Sequence, residues 1–161
     1  MLKRMMISLM ALICAIAVTP PTTWAQDKVI RVPDDDAEMV AAIAKARATL
    51  PEFWREMEAP GPGVESFALK VAIPYGTDRH EHFWLTDVER RGDQISGIIS
   101  NDPNNATHVA KGDRYEFTEA DISDWLIRRD GKMVGNETMR PLLKRMPAEQ
   151  AEQYRAMYAN P

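Results

Sequence analysis

Cysteine is nearly absent. The 161-residue chain contains one, Cys14, so no disulfide can form within it and no cysteine cage for a metal can be built. An excess of positive charge is missing too. Twenty Lys and Arg stand against 24 Asp and Glu, a net charge of −4. The basic residues form no stripe, which excludes a nucleic-acid backbone as the expected partner. There is no Gly-rich phosphate loop and no Gly-x-Ser-x-Gly elbow. Ser66, Ser96, Ser100 and Ser123 also lack a Lys three residues on, so none has the context of an activated nucleophile. Long apolar runs are restricted to one, Met5 to Val18, which falls short of the ~20 residues of a spanning helix.

That run follows Lys3 and Arg4 and leads through a Pro-containing stretch to Thr23-Trp24-Ala25. A positive start, an apolar middle and small residues at the end are the layout of a signal peptide, with cleavage expected before Gln26. Cys14 follows the bulky Ile13 deep in the apolar run, which does not suit lipid attachment. The expectation is a signal peptide at 1–25 and a single α+β domain at 26–161, periplasmic or secreted, with no stable membrane anchor after cleavage. Removing residues 1–25 takes two of the 20 basic residues and none of the 24 acids, leaving a net charge of −6. Cys14 would leave as well, so stability would rest on one core.

Within that domain, Gln26 to Pro33 reads as a connector with room for an extended strand at Val29–Val32. Asp35 with Glu38 three residues later resembles a capping box. Met39, Ile43, Ala46 and Leu50 then recur at helical spacing. Thr49-Leu50-Pro51-Glu52 repeats the start signal, with Pro51 suited to a first turn. The expectation is two helices, near 36–48 and 50–58, stopped by Ala59-Pro60-Gly61-Pro62-Gly63.

From Val64 the period changes to two. Phe67, Leu69, Val71 and Ile73 alternate with smaller or polar residues, which predicts a half-buried strand. Strands follow over His80–Glu89, Gln94–Ser100, Arg114–Thr118 and Ile122–Arg129. Asp130-Gly131 is a two-residue hairpin turn leading back along Lys132–Val134. Thr107–Ala110 suggests a short helical turn, and Thr138–Arg145 and Pro147–Tyr158 read as helices. The expected fold is α+β: a curved antiparallel sheet of five or six strands with N-terminal and C-terminal helices.

Trp84, Asn101-x-Pro103, Gly112-Asp113, Ile122-x-Asp124-Trp125 and Gly135-x-x-Thr138-x-Arg140 occur in an order and spacing that resembles the YegJ-like family of bacterial proteins. The resemblance covers about residues 64–143. That family is a domain of unknown function, so it implies a compact α+β domain and no activity.

Candidate chemistry is sparse. His80 and His82 would point the same way from a strand and could share a metal with His108 or a carboxylate, although a solvated polar strand end is the plainer reading. Asp121 reads as a turn residue. Asp124, between Ile122 and Leu126 on its own face, should be partly buried and so needs a partner; Arg140 is the expected one. Trp84 and Trp125 suit a core, or an aromatic wall for a peptide or glycan. The expected function is a binding or interaction module working in the periplasm without cofactor. Its candidate binding residues are Trp84, Asn101, Asp113, Asp124, Trp125, Thr138 and Arg140. Its expected partner is an envelope protein, a peptide or a glycan. The alternative is a metal-dependent or other hydrolase using His80, His82 and a carboxylate.

Overall fold

A computed structural model describes residues 36–160; the expected signal peptide and the connector after it lie outside the described residues. The first element is a single helix, α1 (Ala37–Glu58). Its N-cap is Asp36, not Asp35, and the Asp36 carboxylate accepts the Met39 N–H at 3.0 Å. The two helices expected at 36–48 and 50–58 are one, with Pro51 inside it. A proline there forfeits the bond its nitrogen would donate one turn back, and its ring crowds the carbonyl at that position. Ala46 and Leu50 before it, and Phe53 and Trp54 after it, are all buried, so packing on both sides holds the helix through the proline. The helix ends where the Ala59 N–H bonds to the Arg55 carbonyl, just ahead of the Pro-Gly repeats.

Six strands follow: β1 (Val64–Pro74), β2 (His80–Arg91), β3 (Gln94–Ile99), β4 (Arg114–Phe117), β5 (Ile122–Arg129) and β6 (Lys132–Gly135). They form one sheet in the order β4-β3-β2-β1-β5-β6, antiparallel throughout. Register shifts in the β1–β5 and β2–β3 ladders, the second next to Asp87 at φ 50°, add the twist that curves the sheet. The β5–β6 turn has Asp130 at φ 48° and Gly131 at φ 71°, the two positive angles that an Asp-Gly hairpin supplies.

Two short helices close the chain, α2 (Met139–Leu143) and α3 (Ala148–Ala156). Both are shorter than the runs expected from sequence. The helical turn expected at 107–110 is a plain turn, with the Val109 N–H on the Ala106 carbonyl. The long connection it belongs to is pinned to the sheet by Glu81. That carboxylate accepts from the backbone N–H of Asn104, Asn105 and Ala106 and from the Asn104 side chain.

The alternation of each strand gives the sheet two different faces. On the first lie Leu69, Val71, Ile73, Phe83, Leu85, Ile95, Ile99, Trp125 and Ile127, with Phe53 and Trp54 of α1 and Ala106 and Val109 of the long connection, in one buried cluster. Trp125 is 3% exposed and donates its indole N–H to the Ala46 carbonyl and Thr49 Oγ1 of α1. A smaller cluster of Met133, Leu143, Ala151 and Tyr158 packs α2 and α3 onto the β5–β6 end. Trp84 belongs to neither cluster. It is half-buried on the second face, which corrects its expected core position: its strand neighbours Phe83 and Leu85 take the core side.

Candidate binding surface

The second face is organised around two opposed charged residues of β1 and β5. Lys70 and Asp124 are directly opposed in the ladder, and Lys70 is opposed on its other side by Trp84 of β2. The three therefore form one row across the sheet, because residues facing each other in a ladder share a face. The Lys70 ammonium lies 5.5 Å from the centre of the Trp84 ring, within the range of a cation–π contact. It also reaches Thr138 Oγ1 at 3.1 Å. Thr138 in turn donates its hydroxyl to Asp124 Oδ2 at 2.6 Å, so lysine, threonine and aspartate form a continuous chain.

Asp124 is 0% exposed, and both its oxygens are filled. Oδ1 accepts the N–H groups of Trp125 and Glu137; Oδ2 accepts the N–H and the hydroxyl of Thr138. The carboxylate thus gathers the turn that follows β6 and fixes the start of α2. Burial pushes its pKa up, against the pull of the Thr138 and Trp125 hydrogen bonds and the Lys70 charge, and the net shift is upward. Four donors and one cation are what a carboxylate needs to remain in such a place.

The expected Asp124–Arg140 pair is not formed. Arg140 instead pairs with Glu137 at 3.2 Å, donates to the Asn160 carbonyl and stacks 4.7 Å over Tyr158. The sequence carried the right segment but the wrong residue: the Gly-x-x-Thr-x-Arg stretch supplies Asp124 with Thr138 and two backbone N–H groups. Lys70, missed among the candidates, had one signal. It is the single charged residue in the alternating run Phe67–Ile73, and it sits on the side away from the core.

Of the other candidates, Asn101 borders β2 at Trp84, since its Oδ1 accepts the Trp84 backbone N–H at 2.9 Å. Asp113 closes a turn by accepting the Ala110 N–H, and Trp125 is core. Asp121 accepts from the Thr118 N–H and hydroxyl in a single 3₁₀ turn at Glu119–Asp121, as a turn residue should.

His80 and His82 lie on β2, but among the described residues no three His, Cys, Asp or Glu side chains gather in a way that could hold a metal ion. His82 Nδ1 instead meets Ser123 Oγ at 2.8 Å. Ser123 is buried, at 2% exposure, and its hydroxyl also lies 3.2 Å from the Lys70 carbonyl, so it has two acceptors within reach.

Among the described residues no helix is long and apolar enough to cross a membrane. The family described as an uncharacterized protein conserved in bacteria (DUF2314) matches residues 36–159, which takes in the whole sheet and all three helices. The chain is 40% identical over 124 residues to the uncharacterized protein YegJ of Escherichia coli K12, covering 76% of this chain and 78% of that one. It is 29% identical over 131 residues to a putative ankyrin repeat protein of Neisseria meningitidis, covering 76% of this chain and 51% of that protein, about half its length. No solved structure matches the chain.

Proposed function

We propose that this chain, which belongs to the bacterial DUF2314 family, is an exported binding module whose contact surface is the second face of the sheet around Trp84. The observation that carries this reading is the half-buried indole, set beside Lys70 and backed by the Asp124 network. Buried polar networks are costly to satisfy, and this one orders the surroundings of a partly buried aromatic side chain. Aromatic side chains held rigidly at a surface are favoured contact residues, because they offer area with little entropy to lose. Export rests on the layout of residues 1–25, with the partner expected in the envelope.

The test has two arms. Mass spectrometry of the protein recovered from the envelope or medium is expected to find a chain starting at Gln26; full-length chain confined to the cytosol would remove the export reading. For binding, wild-type protein and Trp84→Ala are cross-linked in envelope extract and the attached species compared. A species lost in Trp84→Ala, with the fold unchanged by circular dichroism, supports the surface. An identical set for both proteins would place the contact elsewhere.

A further inference from the structure

We infer that residues 157–160 are a strap that closes the β6 edge of the sheet, with Tyr158 as its lock. Lifting the strap lets β6 pair with the same edge of a second copy of this chain. This device stands apart from the Trp84 surface, which lies on β2.

The two outer strands of the sheet are β4 and β6, and a bare outer strand offers unpaired N–H and C=O groups to any extended chain. They are protected differently. β4 is four residues long and carries Arg114 and Glu116, both exposed; shortness and charge are the protection of such an edge. β6 is equally short, but the outward backbone groups at its apolar Met133 are taken by the chain itself. The Met133 N–H donates to the Met157 carbonyl at 2.7 Å, and the Met133 carbonyl accepts the Ala159 N–H at 2.9 Å. Tyr158 thereby bridges to Met133 in parallel, where a seventh strand would lie.

Side chains hold the strap there. Tyr158 is 4% exposed and packs with Met133, Leu143 and Ala151, and its hydroxyl donates to the Asn136 carbonyl just past β6. Arg140 stacks on the Tyr158 ring and donates to the Asn160 carbonyl. Lys132, at the start of β6, donates to the Ala156 carbonyl. Met157, Ala159 and Asn160 on either side of the tyrosine are exposed. The strap is thus bonded to β6 at one residue and buried at one of its own, so the burial of Tyr158 is the main thing it loses on opening.

Opening bares the N–H and C=O of Met133 together with its apolar side chain. A second copy brings the same groups, and two such strands laid antiparallel satisfy each other in the self-complementary way of a two-fold dimer.

Amide exchange and sedimentation velocity, followed at rising protein concentration, test this with Tyr158→Ala. In the wild type, exchange at Met133 should be slow and independent of concentration. In dilute Tyr158→Ala it should be about tenfold faster or more, as loss of a buried side chain requires. As the variant is concentrated, its sedimentation coefficient should rise and protection of Met133 should return, because a second copy then occupies the edge. Ala159→Pro removes one strap hydrogen bond and leaves the Tyr158 cluster in place. It is read in the same way if circular dichroism shows that Tyr158→Ala disturbs the fold. Unchanged exchange at Met133 would show that residues 157–160 do not close the edge. A variant that stays monomeric, or that associates without renewed protection of Met133, would overturn the pairing and with it the inference.

Discussion

Lys70 and Asp124 face each other across the β1–β5 ladder and are joined through the hydroxyl of Thr138, 3.1 Å from one and 2.6 Å from the other. This link connects the centre of the sheet to the start of α2. It makes Asp124 the buried charge on which the second face depends.

Asp124→Ala should therefore be strongly destabilising, by about 3 kcal/mol or more, because it leaves the buried N–H groups of Trp125, Glu137 and Thr138 without their acceptor. Arg140→Ala should cost less, about 1–2 kcal/mol, since Glu137 keeps Lys45 as a partner and Arg140 is itself part-exposed, at 35% side-chain exposure. Urea denaturation of the two variants measures the difference. Equal losses would mean that Arg140 does hold Asp124 in solution.

Thr138 separates a hydroxyl effect from a packing effect. Thr138→Val keeps the shape but breaks the chain between Lys70 and Asp124, and should cost roughly 1–3 kcal/mol. Thr138→Ser keeps the hydroxyl and should recover most of that loss. The comparison is again one of denaturation midpoints, and a serine variant as weak as the valine would remove the hydroxyl from the account.

Two glycines in the β5–β6 hairpin should respond differently. Gly131 has φ 71° but open space where a Cβ would go, so Gly131→Ala should cost only the strain of a left-handed residue, about 1–2 kcal/mol. At Gly135, with φ 83°, a Cβ would come 2.5 Å from the Trp125 carbonyl and 2.7 Å from its ring. Gly135→Ala should lower the melting temperature further than Gly131→Ala, because the atom it strikes is backbone and cannot move aside.

Acid should loosen the long connection before the sheet. Burial of Glu81 raises its pKa, but the hydrogen bonds from Ala106, Asn104 and Asn105 outweigh it and hold the group below the ordinary glutamate value. Its stabilisation is present above the unfolded-state pKa and is lost as pH falls through the folded one. Asp124 has the opposite sign: its raised pKa means that its ionisation costs stability as pH rises past the ordinary aspartate value. Amide exchange at Asn104–Ala106, compared near pH 7 and near pH 3, should accelerate relative to β1 in the acid, and Glu81→Gln should flatten that difference. Uniform protection at both values would show that Glu81 does not fasten the connection.

The strands were legible in the sequence because a strand's signature is local: Phe67 to Ile73 alternate whatever lies beside them, and Asp130-Gly131 carries the hairpin in its own backbone preferences. The stop after Glu58 was legible for the same reason, in Pro60 to Gly63. The buried state of Asp124 could be read from its apolar neighbours Ile122 and Leu126, but its partners could not. Which donors reach a carboxylate is settled by contacts 13 and 14 residues away in the chain, to Glu137 and Thr138, and by Lys70 on another strand. Local propensity likewise broke the first helix at Pro51, whereas burial of Leu50 and Phe53 against the sheet kept it whole. Trp84 and Trp125 look alike in sequence. Only the pairing of β1 with both β2 and β5 decides that one indole is sealed against α1 while the other stands beside Lys70 on the open face, because a side chain's surroundings depend on what its sheet face is packed against.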